Sequence, residues 1–121
     1  MTRDVASLAL IFAGIISSPK LRLRLQPVSA NSCRRFHVDR IRARLLCTYR
    51  GSGTQFAREP EGAPMLQMAA GEVAILRGTL WPEDEIPAVL HRSPPIEGSG
   101  EVRLLLVIDP VLDDDDQEDL Q

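Results

Sequence analysis

The sequence predicts an all-β core preceded by one helix, either a sandwich or a barrel. Short segments of alternating or continuous apolar residues recur along the chain with turn residues between them. Nothing between them resembles a crossover helix, which argues against a parallel sheet. At 121 residues and 13.4 kDa the chain fits a single domain. Hydrophobic content of 44% and charged content of 26% are ordinary for a globular protein and exclude disorder or a membrane bundle as its general character.

The helix is expected within residues 1–18. "VASLALIFAGII", from Val5 to Ile16, is too short to span a bilayer. It is a poor signal peptide as well, because Asp4 offsets Arg3 and no small-x-small cleavage pattern follows. As a helix it has Asp4 for an N-cap, apolar residues at 5, 8, 12 and 15, and Pro19 to close it. A cytoplasmic location follows from that choice.

The β domain is expected over residues 19–110. "KLRLRLQ", from Lys20 to Gln26, alternates strictly and predicts a half-buried strand with Leu21, Leu23 and Leu25 on one face. After turn residues at Pro27 to Ser32, a second strand is expected over Cys33 to Val38 and a third over Arg42 to Tyr49. In the third, Ala43, Leu45, Cys47 and Tyr49 share a face, and "GSGT" ends it. Arg58 to Pro64 reads as loop and Met65 to Met68 as a short strand. Gly71 to Gly78 suits a buried strand, and an acidic loop between Pro82 and Pro87 precedes a short strand over Ala88 to Arg92. In the last strand Val102, Leu104, Leu106 and Ile108 alternate with Arg103, Leu105 and Val107, so both faces should be buried. Residues 111–121, "VLDDDDQEDLQ", read as a solvated acidic tail.

The net charge of -3 hides an asymmetry. Arg34, Arg35, Arg40, Arg42, Arg44 and Arg50 crowd one segment, while the acidic residues crowd the end. An arginine-rich face can bind phosphate or an acidic partner. With aromatics at only 4%, the stacking platforms of single-strand binders are missing, so neither nucleic acid nor membrane is an expected partner. Cys33 and Cys47 are too few for a disulfide framework; they are either two buried thiols or one bridge between facing strands. Trp81 is either a core anchor or part of a lid before His91.

The two histidines are the candidates for chemistry. Along a strand, residues i and i+2 point the same way, so His37 and Asp39 project together about 7 Å apart. His91 stands on another expected strand. Two imidazoles and a carboxylate on one side of an ion make the facial triad, which leaves positions open for substrate; a histidine at a strand end also simply hydrogen-bonds to its neighbour. Arg103 lies on the next strand, where it either grips a carboxylate by two parallel bonds or pairs with Glu101 or Asp109.

The order His37-x-Asp39, a strand ending in Tyr49, "GEVAIL" from Gly71, then His91 and a basic residue one strand later resembles the iron- and 2-oxoglutarate-dependent dioxygenases of the prolyl hydroxylase type, over most of residues 33–109. That resemblance implies a double-stranded β-helix, the cupin-like jelly roll. It also implies Fe(II) held by His37, Asp39 and His91. Arg103 would pair with the distal carboxylate of 2-oxoglutarate, a small anionic cosubstrate, and Tyr49 would donate a hydrogen bond to it. The twelve-residue step from His91 to Arg103 and the Ser93-Pro94-Pro95 run depart from the dioxygenase pattern. A closer resemblance, carried by "CRRFHVDRIRARLLCTYRGSGT", "GEVAILRGTLWP" and "VLHRSPPIEGSGEVRLLLVIDP", is to an uncharacterised bacterial family, domain of unknown function 1826; it implies no activity. Three functions are therefore weighed. They are an oxygenase acting on an unknown substrate, a non-catalytic jelly-roll module holding Zn(II) or iron, and an interaction protein using the arginine face.

Overall fold

The computed structural model describes residues 2–18, 20–29, 37–58, 66–81 and 89–111. Helix α1 spans Thr2–Ile16 and buries Phe12 and Ile16, with Val5, Leu8 and Ala9 packed beside them. Ile15, expected on the buried stripe, is 52% exposed. At 3.6 residues per turn, Ile16 returns almost to the angular position of Val5, whereas Ile15 falls about 80° off it. Asp4 sits in the first turn rather than at the cap. The expected stop, Pro19, lies outside the described residues. Ser17 takes a left-handed conformation (φ 53°) and the Ser18 N–H donates to the Ala13 carbonyl, as in a Schellman closure. Arg42 Nη2 then donates to the Ile16 carbonyl at 2.6 Å, serving one of the helix's last acceptors.

Seven strands follow among the described residues: β1 (Leu21–Val28), β2 (Ala43–Arg50), β3 (Gln55–Arg58), β4 (Leu66–Gln67), β5 (Val73–Arg77), β6 (Val89–Arg92) and β7 (Arg103–Pro110). They form two antiparallel sheets, ordered β1-β7-β2-β5 and β4-β3-β6. The core is therefore all-β, with one helix. Of the expected second strand only His37 and Val38 are described, and between them the pairing is an isolated bridge at His37; the first four residues, Cys33 among them, lie outside the described set. So do the acidic loop after Trp81 and the acidic tail from 112.

Register explains the core. Leu23, Ile108, Leu45 and Ile75 form one row across the first sheet, and Leu25, Leu106, Cys47 and Val73 the next. The helix covers the middle of these rows, burying Leu45, Cys47, Leu106 and Ile108 to 1% exposure or less, each worth about 1.5–3 kcal/mol. The flanks stay open: Leu23 and Leu25 are each 44% exposed, and Val73 and Ile75 are 43% and 38% exposed. The expectation of buried leucines on β1 and of a buried β5 is thus corrected, because both are edge strands, on which Leu21 alone packs against the core cluster. Residues of β7 are buried on both faces, as the pattern predicts. Cys47 is a buried free thiol.

On the other side of the sheet, Arg24, Val107, Leu46 and Ala74 form one row, and Gln26, Leu105 and Thr48 the next. This side faces a cavity that β6 and Thr54, just before β3, also line.

Candidate metal and anion site

His37 and His91 are brought together by the backbone. Each donates its N–H to the other's carbonyl, at 3.0 and 2.9 Å, in an antiparallel bridge. Paired residues of a bridge share a face, so the imidazoles lie side by side, with ring centroids 4.4 Å apart. His91, on β6, is buried; His37 is half-buried.

Asp39 reaches both rings. Its Oδ2 lies 3.0 Å from His91 Nε2 and its Oδ1 3.3 Å from His37 Nε2. One donor atom from each residue falls within 4.8 Å of the others. Ligands about 2.1 Å from a common ion, on adjacent octahedral positions, stand roughly 3 Å apart, so the spacing suits a divalent transition metal. The donor chemistry fits as well. Burial opposes the Asp39 charge, but the His91 hydrogen bond and the Arg44, His91 and His37 charges outweigh it and hold the carboxyl at about 2.

The loop carrying Asp39 is clamped from behind. Thr79 N–H donates to the Asp39 carbonyl at 3.0 Å, Leu80 N–H to Ile41 at 3.1 Å and Gly78 N–H to Arg42 at 2.9 Å. Gly78 packs so closely that a Cβ there would sit 1.9 Å from the Ile41 oxygen and 2.6 Å from that of Asp39. Only glycine fits without displacing the loop.

Arg103 enters from β7 and lines the same cavity, whose volume is about 160 Å³. The residue is 1% exposed. Its Nε donates to the Ser52 carbonyl at 2.7 Å, and its Nη2 to Thr48 Oγ1 and Thr54 Oγ1 at 3.3 and 3.2 Å. All three acceptors are neutral. No carboxylate among the described residues lies within ion-pair distance, and burial depresses the guanidinium pKa against the opposing influence of Glu101. The structural pairings open to it are not formed: Glu101 accepts instead from Ser52 N and Oγ, and Asp109 from Arg44. A buried cation with neutral partners only is costly unless an anion joins it.

Tyr49 is not part of this cavity. It lies with Ala43, Leu45 and Cys47 on the helix side of β2, and its hydroxyl donates to the Asp4 carboxylate. The expected hydrogen bond to a cosubstrate is therefore corrected by strand parity: odd positions of β2 face the helix and even ones the cavity. By the same parity Arg44 points toward the cavity. Its Nε and Nη2 grip Asp109 at 2.7 and 3.0 Å and its Nη1 donates to Asp39 Oδ2 at 2.9 Å. Thr48 and Thr54, absent from the sequence-based candidates, could have been found in part by extending that parity to Thr48. Trp81 packs against the core, with Arg77 stacked 5.9 Å from its ring centre.

One family model, described as "Protein of unknown function (DUF1826)", matches residues 1–109. No curated protein and no solved structure matches the chain.

Proposed function

The chain belongs to this DUF1826 family, whose description assigns no chemistry, and we propose that it is a metal-dependent, dioxygenase-like protein using Fe(II) and 2-oxoglutarate. The two antiparallel sheets with a cavity between them would then be a cupin-like jelly roll. The observation that carries this proposal is a pair of features in one small cavity, the cluster of His37, Asp39 and His91 and a buried Arg103 with no carboxylate partner among the described residues.

His37 Nε2, His91 Nε2 and an Asp39 oxygen would hold the ion. When bound, the ion and 2-oxoglutarate together supply the redox chemistry of oxygen activation. Arg103, fixed by Ser52, Thr48 and Thr54, would orient the distal carboxylate of the cosubstrate through its guanidinium. Leu46, Leu105 and Val107 give the cavity an apolar wall. A cavity of about 160 Å³ suits a ligand of this size, since one of roughly 150 Å³ takes benzene, and excludes drug-sized molecules.

The test is an anaerobic titration with Fe(II) and 2-oxoglutarate. Wild type should develop a visible charge-transfer band, and Arg103→Ala should bind iron but lose the band's dependence on 2-oxoglutarate. Absence of both the band and 2-oxoglutarate turnover in wild type contradicts the proposal. A second possibility, a zinc module without catalysis, is supported by the ligand set itself, which zinc also takes. Metal content of protein purified from its native host separates the two. An arginine interaction face has less to draw on, because Arg42 and Arg44 are spent on Ile16 and on Asp39 and Asp109.

A further inference from the structure

A second cavity of about 330 Å³ adjoins the first. Arg22, Arg24, Asp39, Arg40, Arg44 and Asp109 supply its charged lining. Arg24, Asp39 and Arg44 line both cavities, so the outer one opens beside the candidate metal ligands.

The outer cavity is cationic, with four guanidinium groups facing two carboxylates. Those carboxylates are already engaged. Asp109 is gripped by two nitrogens of Arg44, and Asp39 faces both histidines and the third arm of Arg44. Arg24 reaches Asp109 only at 3.5 Å, and its buried Nε–H finds no acceptor among the described residues. Arg22 stands opposite Asp109 in register yet forms no ion pair with it. A buried guanidinium N–H without an acceptor costs about 1–3 kcal/mol. Two arginines two residues apart on β1, on one face and over a shared cavity, are placed to share an external oxyanion.

We propose that this outer cavity binds the anionic group, a carboxylate or a phosphate, of the substrate that the neighbouring site acts on. The proposal rests on the metal-site assignment for the word substrate, while the anion site stands on its own residues. Arg24, whose side chain is 39% exposed, and Arg22 supply guanidinium N–H donors, Arg40 lines the rim, and Arg44 remains locked to Asp109. The anion seats beside Asp39, which leaves the rest of the molecule directed at the ligand cluster. This narrows the substrate to small or exposed anionic compounds and disfavours apolar ones.

The test is titration of the full chain with inorganic phosphate and, separately, with acetate at fixed ionic strength, followed through the arginine Nε–H resonances. The expected result is saturable one-to-one binding that shifts Arg24 Nε–H; whichever probe binds more tightly assigns the anion class. Arg22→Gln and Arg24→Gln should each weaken it about tenfold or more; because the inner guanidinium of Arg103 could also take either probe, binding that is lost in Arg103→Met rather than in these two variants overturns the assignment to the outer cavity. Because Arg22 is exposed, its variant guards against a folding defect in the Arg24 variant. Shifts that never saturate, or an affinity unchanged in the Arg22→Gln, Arg24→Gln double variant, overturn the proposal. Metal uptake is measured on the same samples: phosphate binding without metal binding overturns only the proposed function, and metal binding without saturable phosphate or acetate binding overturns only the anion site.

Discussion

Arg44 joins two aspartates that are seventy positions apart in sequence: its Nη1 holds Asp39 Oδ2 at 2.9 Å while Nε and Nη2 hold Asp109 at 2.7 and 3.0 Å. The same Asp39 oxygen faces His91 Nε2. Arg44 thus fixes the orientation of the carboxylate and occupies one of its lone-pair directions, the kind of support that metal ligands ordinarily receive from behind.

Arg44→Met should therefore weaken metal binding about 10- to 100-fold while leaving all three ligands in place. It should also destabilise the fold by about 2–3 kcal/mol, because Asp109 is left largely buried with only Arg24, at 3.5 Å, beside it. The figure is below that of a fully buried pair, since Arg44 is 23% exposed. Calorimetric metal titration and chemical denaturation measure the two effects separately. Unchanged metal affinity would remove Arg44 from the site.

Gly78→Ala and Gly14→Ala should move stability in opposite directions. A Cβ at Gly78 would fall 1.9 Å from a backbone oxygen of the loop that carries Asp39, so that variant should lose both stability and metal binding. Gly14 lies exposed on α1 with nothing within 4 Å of a new Cβ, and alanine there should stabilise by about 0.8–1 kcal/mol through helix propensity. Thermal unfolding of the two variants beside wild type checks both signs.

Thr54→Val tests the support of Arg103. Loss of one hydroxyl acceptor leaves the guanidinium with Ser52 and Thr48 only, so 2-oxoglutarate affinity should fall about 3- to 10-fold with metal affinity unchanged. Binding titrations in the metal-loaded protein provide the measurement. An equal fall in metal affinity would mean a general loosening of the cavity.

Tyr49 is the single tyrosine, so its ultraviolet titration is unambiguous. Burial, the hydrogen bond to Asp4 and the Asp4 charge all raise its pKa above the ordinary 10. With the folded value above the unfolded one, the stabilising contribution is fully present below pH 10 and is lost as pH rises through the folded value. Phenolate absorbance should appear only above pH 10 in wild type and at lower pH in Asp4→Asn. Identical curves would separate Tyr49 from Asp4.

How much of this was legible in the sequence depends on periodicity. The helix, β1, β2 and β7 follow from 3.6- and 2-residue patterns; spacing sets His37 beside Asp39, whereas the approach of His91 to them was implied by the resemblance and not by spacing. β3 was not anticipated, because Gln55–Arg58 is short and carries the buried polar Gln55, whose side-chain oxygen accepts from Arg92. The exposure of Leu23, Leu25, Val73 and Ile75 was also hidden, since alternation fixes which residues share a face but not whether another layer covers it. For Tyr49 the parity was read correctly, but the side of the sheet holding the cavity was assigned by resemblance rather than by packing. The role of Arg44 was hidden because its carboxylate partner Asp109 comes from a strand 65 positions away in sequence.

The central claim is that His37, Asp39 and His91 bind one divalent metal. X-ray absorption at the iron edge of protein loaded anaerobically with Fe(II) tests it most directly. One iron per chain bearing two imidazoles, falling to one imidazole in His37→Ala, is the predicted result; an iron shell without imidazole, or no stoichiometric iron, would contradict it.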